Sequence, residues 1–589
     1  MLNNKKEHVI EKSGHDLAWY HPAFIAALIA GVGLFLWVAW LGENIPVADE
    51  YPDALGFLVD FLASSDPQHR LKILFSVDAV NAVTLLTHLV YLLQWFVIGE
   101  IDFKQQQYLG FFNIIGIGTV VFFTYYRQLG YRLLFTLIGL LLFHAQFGEG
   151  LLWAMAGINN YGVITLTLFA FFIFCQPRKT WIEGAGFFLG FLASQAMPNG
   201  LFVWPLLAIY CFKNKERPVY YRALCGVFFL VSAIPHALHL MAGTDGMALM
   251  HEGFNAVSHA VMLPFAYLVV SGSIASPGAV SIVVAAVFGL LLNAWFLWLL
   301  WQRKAQPFWL MSMGFLWASM LLIAAGRYSA DHPEAAQLLL SSRYKLYSAM
   351  FALLLLLETL CRKRPIQRNQ KMIGAILVLA VIFNGTSWFL AGPNDVLRQQ
   401  EYRKAMNMWL LTGKPEDLGF TTLLTPDADG FINAAVEKGL YRPFSVLKQD
   451  KKLPAFEVAQ CSRVPEHNVN ISMVRMQANL FAKTRGITIY ISGWDAFSSP
   501  PAIVLCGEQN AYRLILSDQQ WVPLQVDNAR MAEVFVLPEI LLPKGPSPAW
   551  GEYRVFLEYP AKSGSLFHGN NTAMLDWRPI QSDVKQDSH

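Results

Sequence analysis

The sequence predicts an all-α, polytopic membrane bundle followed by a mostly-β soluble domain, on three observations. The first is composition: 55% of the 589 residues are hydrophobic and 14% are charged, against roughly 25% charged in soluble domains. The second is arrangement. Residues 1–391 carry one long apolar segment after another, whereas 392–589 hold no run near the roughly 20 residues needed to cross a bilayer. The third is punctuation, since 392–589 is rich in charge, proline and turn signals. A mean hydropathy of +0.39 excludes both an ordinary soluble enzyme and a disordered chain. The net charge of +3 is too small to argue for a nucleic-acid partner.

The first apolar segment, about 23–41, follows Lys5, Lys6 and Lys12. It is too long for a signal-peptide core, and no small-residue cleavage site comes after it, so it reads as a retained anchor with a cytoplasmic N-terminus. Basic clusters then recur at Arg127/Arg132, Arg178/Lys179, Lys213/Lys215/Arg217/Arg222, Arg303/Lys304 and Arg362/Lys363/Arg364/Arg368/Lys371. All five belong in the cytoplasm by the positive-inside rule, so an even number of crossings separates them. That parity makes 72–98 a non-crossing segment; Asp78, Asn81, Thr84, His88 and Tyr91 give it a polar face. By the same argument 257–275 is interfacial or re-entrant.

The remaining spans are about 23–41, 108–125, 132–147, 160–175, 182–197, 200–213, 222–242, 279–300, 308–326, 345–361 and 372–391. About eleven crossings place residues 392–589 outside the cytoplasm. Ala391-Gly392-Pro393-Asn394 reads as the break that ends the last span. Residues 395–412 then form the helix leading into 392–589, and short strands come next at 484–492, 501–506, 511–516, 533–537 and 553–558, a spacing that suits a sandwich. Cys175, Cys211, Cys225 and Cys361 fall near cytoplasmic ends of spans, whereas Cys461 and Cys506 lie in the external domain, where a disulfide can form and persist.

With this topology the external face gathers three polar clusters. Asn44-Ile45-Pro46-Val47-Ala48-Asp49-Glu50-Tyr51 carries adjacent carboxylates just beyond the first span, with Gln68-His69-Arg70 about 20 residues on. Alone, such an acidic pair also reads as a solvated loop that fixes topology. Arg327-Tyr328 through Ser341-Ser342-Arg343-Tyr344-Lys345 sets cations on the external side, against the positive-inside tendency. Paired guanidiniums suit phosphate; the plainer readings are ion pairs to Asp331 or Glu334, or contact with lipid headgroups. The third cluster runs from His144 through Glu149 and Trp153 to Asn159-Asn160-Tyr161. Polar side chains on membrane helices face a cavity or the bundle interior, although His144 and Glu149 equally suit capping.

The acidic pair, the external His-Arg and the Arg…Ser-Arg-Tyr element together resemble the bacterial GT-C glycosyltransferase-like membrane proteins. Gly150-Leu-Leu-Trp153-Ala-Met-Ala-Gly157-Ile-Asn-Asn160, Ala196-Met-Pro-Asn-Gly200-Leu-Phe-Val-Trp204-Pro205, and Gly493-Trp494-Asp495 in the β-rich tail add to the likeness, which covers most of 1–391. The resemblance implies a GT-C-like bundle in the bacterial inner membrane with external interfacial helices and a periplasmic C-terminal domain. It implies a polyprenyl-phosphate-linked sugar donor and an acceptor that is an envelope glycan such as O-antigen or lipopolysaccharide, a lipid or a protein. Asp49 or Glu50 would be the catalytic carboxylate. His69, Arg70, Glu149, Asn160, Arg327, Arg343 and Tyr344 would bind substrate. Some families of this architecture hold a divalent cation, Mg or Mn, at the acidic pair and others do without; the sequence itself shows no metal-ligand spacing.

Three rivals remain. A lipid-linked polysaccharide polymerase or ligase uses external arginines too, but sets them in a large loop between late spans. A transporter shows two related halves with matching broken helices, and no such symmetry is visible. A non-catalytic surface anchor would tolerate substitution at Asp49, Glu50 and Arg343.

Overall fold

In a computed structural model of the chain, the described residues are 20–75, 85–176, 180–214, 217–242, 256–279, 281–302, 305–327, 338–362, 370–412, 415–422 and 427–443, together with the backbone of eight strands between 471 and 575. Asp78, Asn81, Thr84, Tyr328, Asp331, Glu334, Cys461, Trp494 and Asp495 lie outside them. The chain divides into two compact units, 1–399 with 434–441, and 400–433 with 442–589.

The first unit is helical, and the last of its helices belongs to it only as far as Gln399. Its elements are α1 (Tyr20–Leu41), α2 (Phe57–Ala63), α3 (Pro67–Leu74), α4 (Leu85–Ile98), α5 (Phe103–Leu129), α6 (Tyr131–Leu142), α7 (Gly148–Leu152), α8 (Ala154–Cys175), α9 (Thr180–Ala196), α10 (Val203–Lys213), α11 (Val219–Ala242), α12 (Ala256–Gly272), α13 (Ile282–Trp301), α14 (Pro307–Arg327), α15 (Ser342–Arg362) and α16 (Gln370–Thr412). Among the described residues eight helices are long and apolar enough to cross a membrane: α1, α5, α8, α11, α13, α14, α15 and α16. The count is nine if α6 and the adjoining Ala145–Leu152, bent by 50°, form one span.

Large side chains such as Trp204, Trp309 and Phe171 fill the core, and other large apolar ones face outward. In α1, Ala23, Ala27, Ala30, Leu34, Val38 and Leu41 are buried at intervals of three and four, one helical face, while Ile25, Ile29, Val32, Leu36 and Trp40 are exposed. A Cβ on Gly139 of α6 would collide with Ala27, so that glycine sets the close approach of the two helices. Val283, Leu290, Leu291, Leu379 and Phe389 are likewise exposed. So much outward apolar surface suits a lipid bilayer and not water.

The structure corrects the expected eleven spans. The segments at 182–197 and 200–213 are α9, of 17 residues, and α10, of 11 residues. At the helical rise α10 is about 16 Å long, half the roughly 30 Å of a bilayer core. Met197 is extended and a 3-10 turn over Pro198–Phe202 joins the two helices. Gly200 makes that turn tight, because a Cβ there would strike the Ala193 carbonyl. The expected break at Pro393 is also absent: α16 runs through it. Proline removes a single backbone donor, a loss that membrane helices tolerate. Residues up to Gln399 therefore stay with the helical unit. The segments at 72–98 and 257–275 contain α4, of 14 residues, and α12, of 17 residues, both shorter than a span.

In the second unit the backbone pairs as two antiparallel four-stranded sheets. One has β1 (Ile471–Asn479), β2 (Thr484–Ser492), β6 (Ala529–Val536) and β5 (Trp521–Val526) in that order. The other has β4 (Ala511–Leu514), β3 (Ala502–Gly507), β7 (Gly551–Ala561) and β8 (Gly564–Leu575).

Candidate functional site

The acidic loop after α1 is held along its whole length. Gly42 lies against the Gln107 side chain, leaving no room for a Cβ. The Gln107 amide donates to the Glu43 carbonyl (3.2 Å) and to the Leu152 carbonyl (2.9 Å). Asn44 accepts the Phe103 N–H on its Oδ1 (2.8 Å), meeting an orphan donor at the start of α5, and its carbonyl accepts from the Tyr441 hydroxyl (2.7 Å). Ala48 then takes φ +50°, a left-handed conformation that costs an alanine about 1–2 kcal/mol. A π-turn over Tyr51–Gly56 comes at once after it. Pinned ends and a strained middle fix where Asp49 and Glu50 point.

The two carboxylates have different surroundings. Glu50 is 1% exposed. Its Oε2 accepts the Val47 N–H and its Oε1 the Met155 N–H, both at 2.8 Å. Met155 is in the first turn of α8, so Glu50 caps that helix at the positive end of its dipole. Burial pushes its carboxyl up to about 8, against those hydrogen bonds. Asp49 is half-buried and has no side-chain hydrogen bond among the described residues. Burial raises it above the ordinary carboxylate range, while the charges of Arg343 and Arg327 pull it back down. Of the adjacent pair, Glu50 is engaged in architecture and Asp49 is available.

Arg343 stands opposite. It comes directly after Ser342 at the start of α15, and its guanidinium lies 4.9 Å from the Trp153 ring and 5.0 Å from the Tyr344 ring. Trp153 is the residue just before α8, and its N–H is fixed by the Glu149 carbonyl (2.9 Å). No carboxylate among the described residues pairs with Arg343 within 4 Å, and its Nε has no hydrogen-bond partner. The cation is thus held by aromatic faces, at a cost in lost solvation that stacking offsets by about 0.5–2 kcal/mol. Arg327 ends α14 and contributes charge at Asp49.

Glu149 sits between these parts. Its Oε2 accepts from Ser341 Oγ and from the Ser342 N–H, both at 3.1 Å, with Arg398 at 3.7 Å. In return the Gly150 N–H donates to Ser342 Oγ (3.4 Å). The flanking glycines allow this closeness: a Cβ on Gly148 would overlap Asp395, and one on Gly150 the Tyr161 hydroxyl. His144 caps the turn before it, accepting the Gln146 N–H (3.3 Å).

The structure therefore brings Asp49, Glu50, Glu149, Arg327, Arg343 and Tyr344 into one neighbourhood. Asn160 is near, in a second π-turn at Gly157–Tyr161, where its carbonyl accepts from Tyr347 (3.4 Å). His69 and Arg70 are elsewhere in character. Both are exposed on α3; the His69 N–H is capped by Asp66 (3.2 Å), and Arg70 donates to the Ser64 carbonyl (2.7 Å) over the Phe61 ring. None of these contacts reaches Asp49 or Arg343. Asp395 and Arg398 are the residues that sequence reasoning missed, and an i, i+3 spacing continued past Pro393 was their signal.

The donor set does not suit a resident divalent cation. No group of three or more His, Cys, Asp or Glu side chains gathers among the described residues, and both Glu50 oxygens are taken by backbone N–H groups. What the arrangement offers is a carboxylate and two cations around the ends of α1, α8, α14 and α15. The chain matches no protein-family model, no curated protein and no solved structure.

Proposed function

We propose that this chain is a bacterial inner-membrane glycosyltransferase. It moves a sugar from a polyprenyl-phosphate donor to a cell-envelope glycan, lipid or protein on the extracytoplasmic face. The observation that carries the reading is Arg343, stacked between Trp153 and Tyr344 without a carboxylate partner, within electrostatic reach of a half-buried Asp49.

Topology supports it. Nine crossings, with α6 and Ala145–Leu152 as one span, leave every basic cluster on one side of the membrane and Asp49, Glu149, Arg327 and Arg343 on the other. The short α9 and α10 enter and leave on the same side, so dropping both expected spans preserves the odd parity. The β-rich second unit then lies outside the cytoplasm.

Asp49 acts as the base. An acceptor hydroxyl attacks the anomeric carbon and passes its proton to the Asp49 carboxylate as the new C–O bond forms. The bond from the anomeric carbon to the lipid phosphate breaks, and its electron pair stays on the phosphate oxygen. Arg343 and Arg327 meet that charge in place, a stabilisation that grows in the transition state. The prenyl chain lies along the apolar outer faces of the helices.

The test is surface glycan from cells lacking this protein, complemented with wild type, Asp49→Asn or Arg343→Ala, and read by mass spectrometry. Loss of one sugar per repeat or per lipid in the deletion and in both variants, each inserted normally, is the expected result. Collapse of chain length would favour a polymerase or ligase, and an unchanged glycan would sink the transfer reading.

A further inference from the structure

We infer that Glu149 is a positioning residue: it clasps the start of α15 so that Arg343 presents its guanidinium to the donor phosphate. The inference rests on the reading of Arg343 as the phosphate cation.

Three contacts make the clasp. Glu149 accepts from the Ser341 hydroxyl and the Ser342 N–H, while Ser342 Oγ accepts the Gly150 N–H. The first turn of a helix has four orphan N–H donors, and here α7 satisfies one of them and is satisfied in turn. Arg343 is the next residue. One side of its guanidinium is set by Trp153, whose own N–H is anchored to the Glu149 carbonyl. Backbone and side chain of Glu149 thus fix the aromatic platform and the helix that carries the cation. Arg398 approaches the same oxygen at 3.7 Å, so Oε2 is committed to the protein on three sides.

The sign of the effect separates positioning from simple charge. A carboxylate beside a phosphate site repels the phosphate, so if Glu149 acted only through its charge, Glu149→Gln would tighten binding. If it holds Arg343 in place, the same substitution weakens binding, because an amide that keeps one acceptor oxygen holds two donors less firmly than a carboxylate.

The experiment uses the full-length chain in phosphatidylcholine nanodiscs, titrated calorimetrically with farnesyl phosphate and, as the uncharged probe, farnesol. Glu149→Gln should weaken farnesyl phosphate at least tenfold, leave farnesol unchanged, and leave the melting midpoint near that of wild type. Ser341→Ala, which keeps the Ser342 N–H bond, should weaken the phosphate two- to fivefold, and less than that when made on top of Glu149→Gln. It also serves if the first variant fails to fold. Unchanged or tighter phosphate binding in Glu149→Gln overturns the inference, as does equal loss of farnesol. A wild-type chain that binds farnesol but not farnesyl phosphate overturns the phosphate site itself.

Discussion

Helix α8 is held at both ends by a buried titratable side chain, yet the two ends are built differently. At the N-terminus Glu50 accepts from Met155. At the C-terminus Arg217 donates to the Phe174 carbonyl (2.6 Å) and pairs with Glu183, which also accepts from Tyr221; the Tyr210 hydroxyl joins on Phe174 (3.1 Å). That lower knot closes on itself, cation on carboxylate, with Arg217 and Tyr210 both donating to the Phe174 carbonyl. The upper end does not close. Asp49 and Arg343 sense each other's charge but make no ion pair within 4 Å. Charge that the protein saturates is architecture; charge that it leaves unsaturated is held ready for something else.

That contrast breaks most readily at Asp49. Asp49→Asn should lower turnover by about 10²–10⁴ and leave the melting midpoint unchanged, whereas Glu50→Gln should disturb stability first. Reversed outcomes in a paired turnover and melting assay would exchange the roles of the two carboxylates. At the closed end, Arg217→Ala leaves Glu183 buried without its cation and should cost about 3–5 kcal/mol of stability. Turnover per folded molecule should survive. A loss below about 1 kcal/mol in denaturant titration would place the knot among exposed, weak ion pairs.

The residue types at the site were legible in the sequence; their division of labour was not. Adjacent acids after a span and arginines on the wrong side of the charge rule marked Asp49, Glu50, Arg327 and Arg343. Nothing in the sequence separates Asp49 from Glu50, because the Glu50 partners are backbone N–H groups of residues 47 and 155, which carry no side-chain signature. Trp153 was visible within a Gly-rich stretch, but its stacking on Arg343 depends on two helix starts meeting in space. Asp395 and Arg398 lie beyond Pro393, which in sequence marks a helix stop, although a membrane helix tolerates one missing donor. The span count failed for a related reason. Hydropathy sees two apolar stretches at α9 and α10, whereas length decides whether either can cross.

A pH series sharpens the difference between the two carboxylates. Burial lifts Glu50 to about 8 from an ordinary value of 4.5, so the folded chain keeps a proton that the unfolded chain releases. Its contribution is fully present below about pH 4.5 and fades as pH rises through about 8. The melting midpoint of wild type minus that of Glu50→Gln should therefore be largest near pH 5 and shrink by pH 8.5. A gap that widens with pH would mean that the hydrogen bonds from Val47 and Met155 outweigh burial and hold Glu50 ionised. Asp49 is also raised, so the acid limb of the turnover profile should lie above the ordinary carboxylate range and vanish in Asp49→Asn.

The smallest effect is expected at α3, and it tests whether external charge alone makes a site residue. Arg70 is exposed, turned back onto the Ser64 carbonyl and the Phe61 ring, and shares no contact with Asp49 or Arg343. Arg70→Ala and His69→Ala should each change stability by no more than about 0.5 kcal/mol, as surface substitutions do, and leave farnesyl phosphate affinity within about twofold. Position in the sequence made these two residues look like partners of the acidic pair, because a gap of about 20 residues fits a shared external loop. The fold spends that gap on a π-turn and two short helices, so the basic helix ends facing solvent. A tenfold loss of phosphate affinity in Arg70→Ala would show that an unsaturated cation need not be buried among aromatic rings to serve the donor, and the contrast between the two ends of α8 would no longer identify the site.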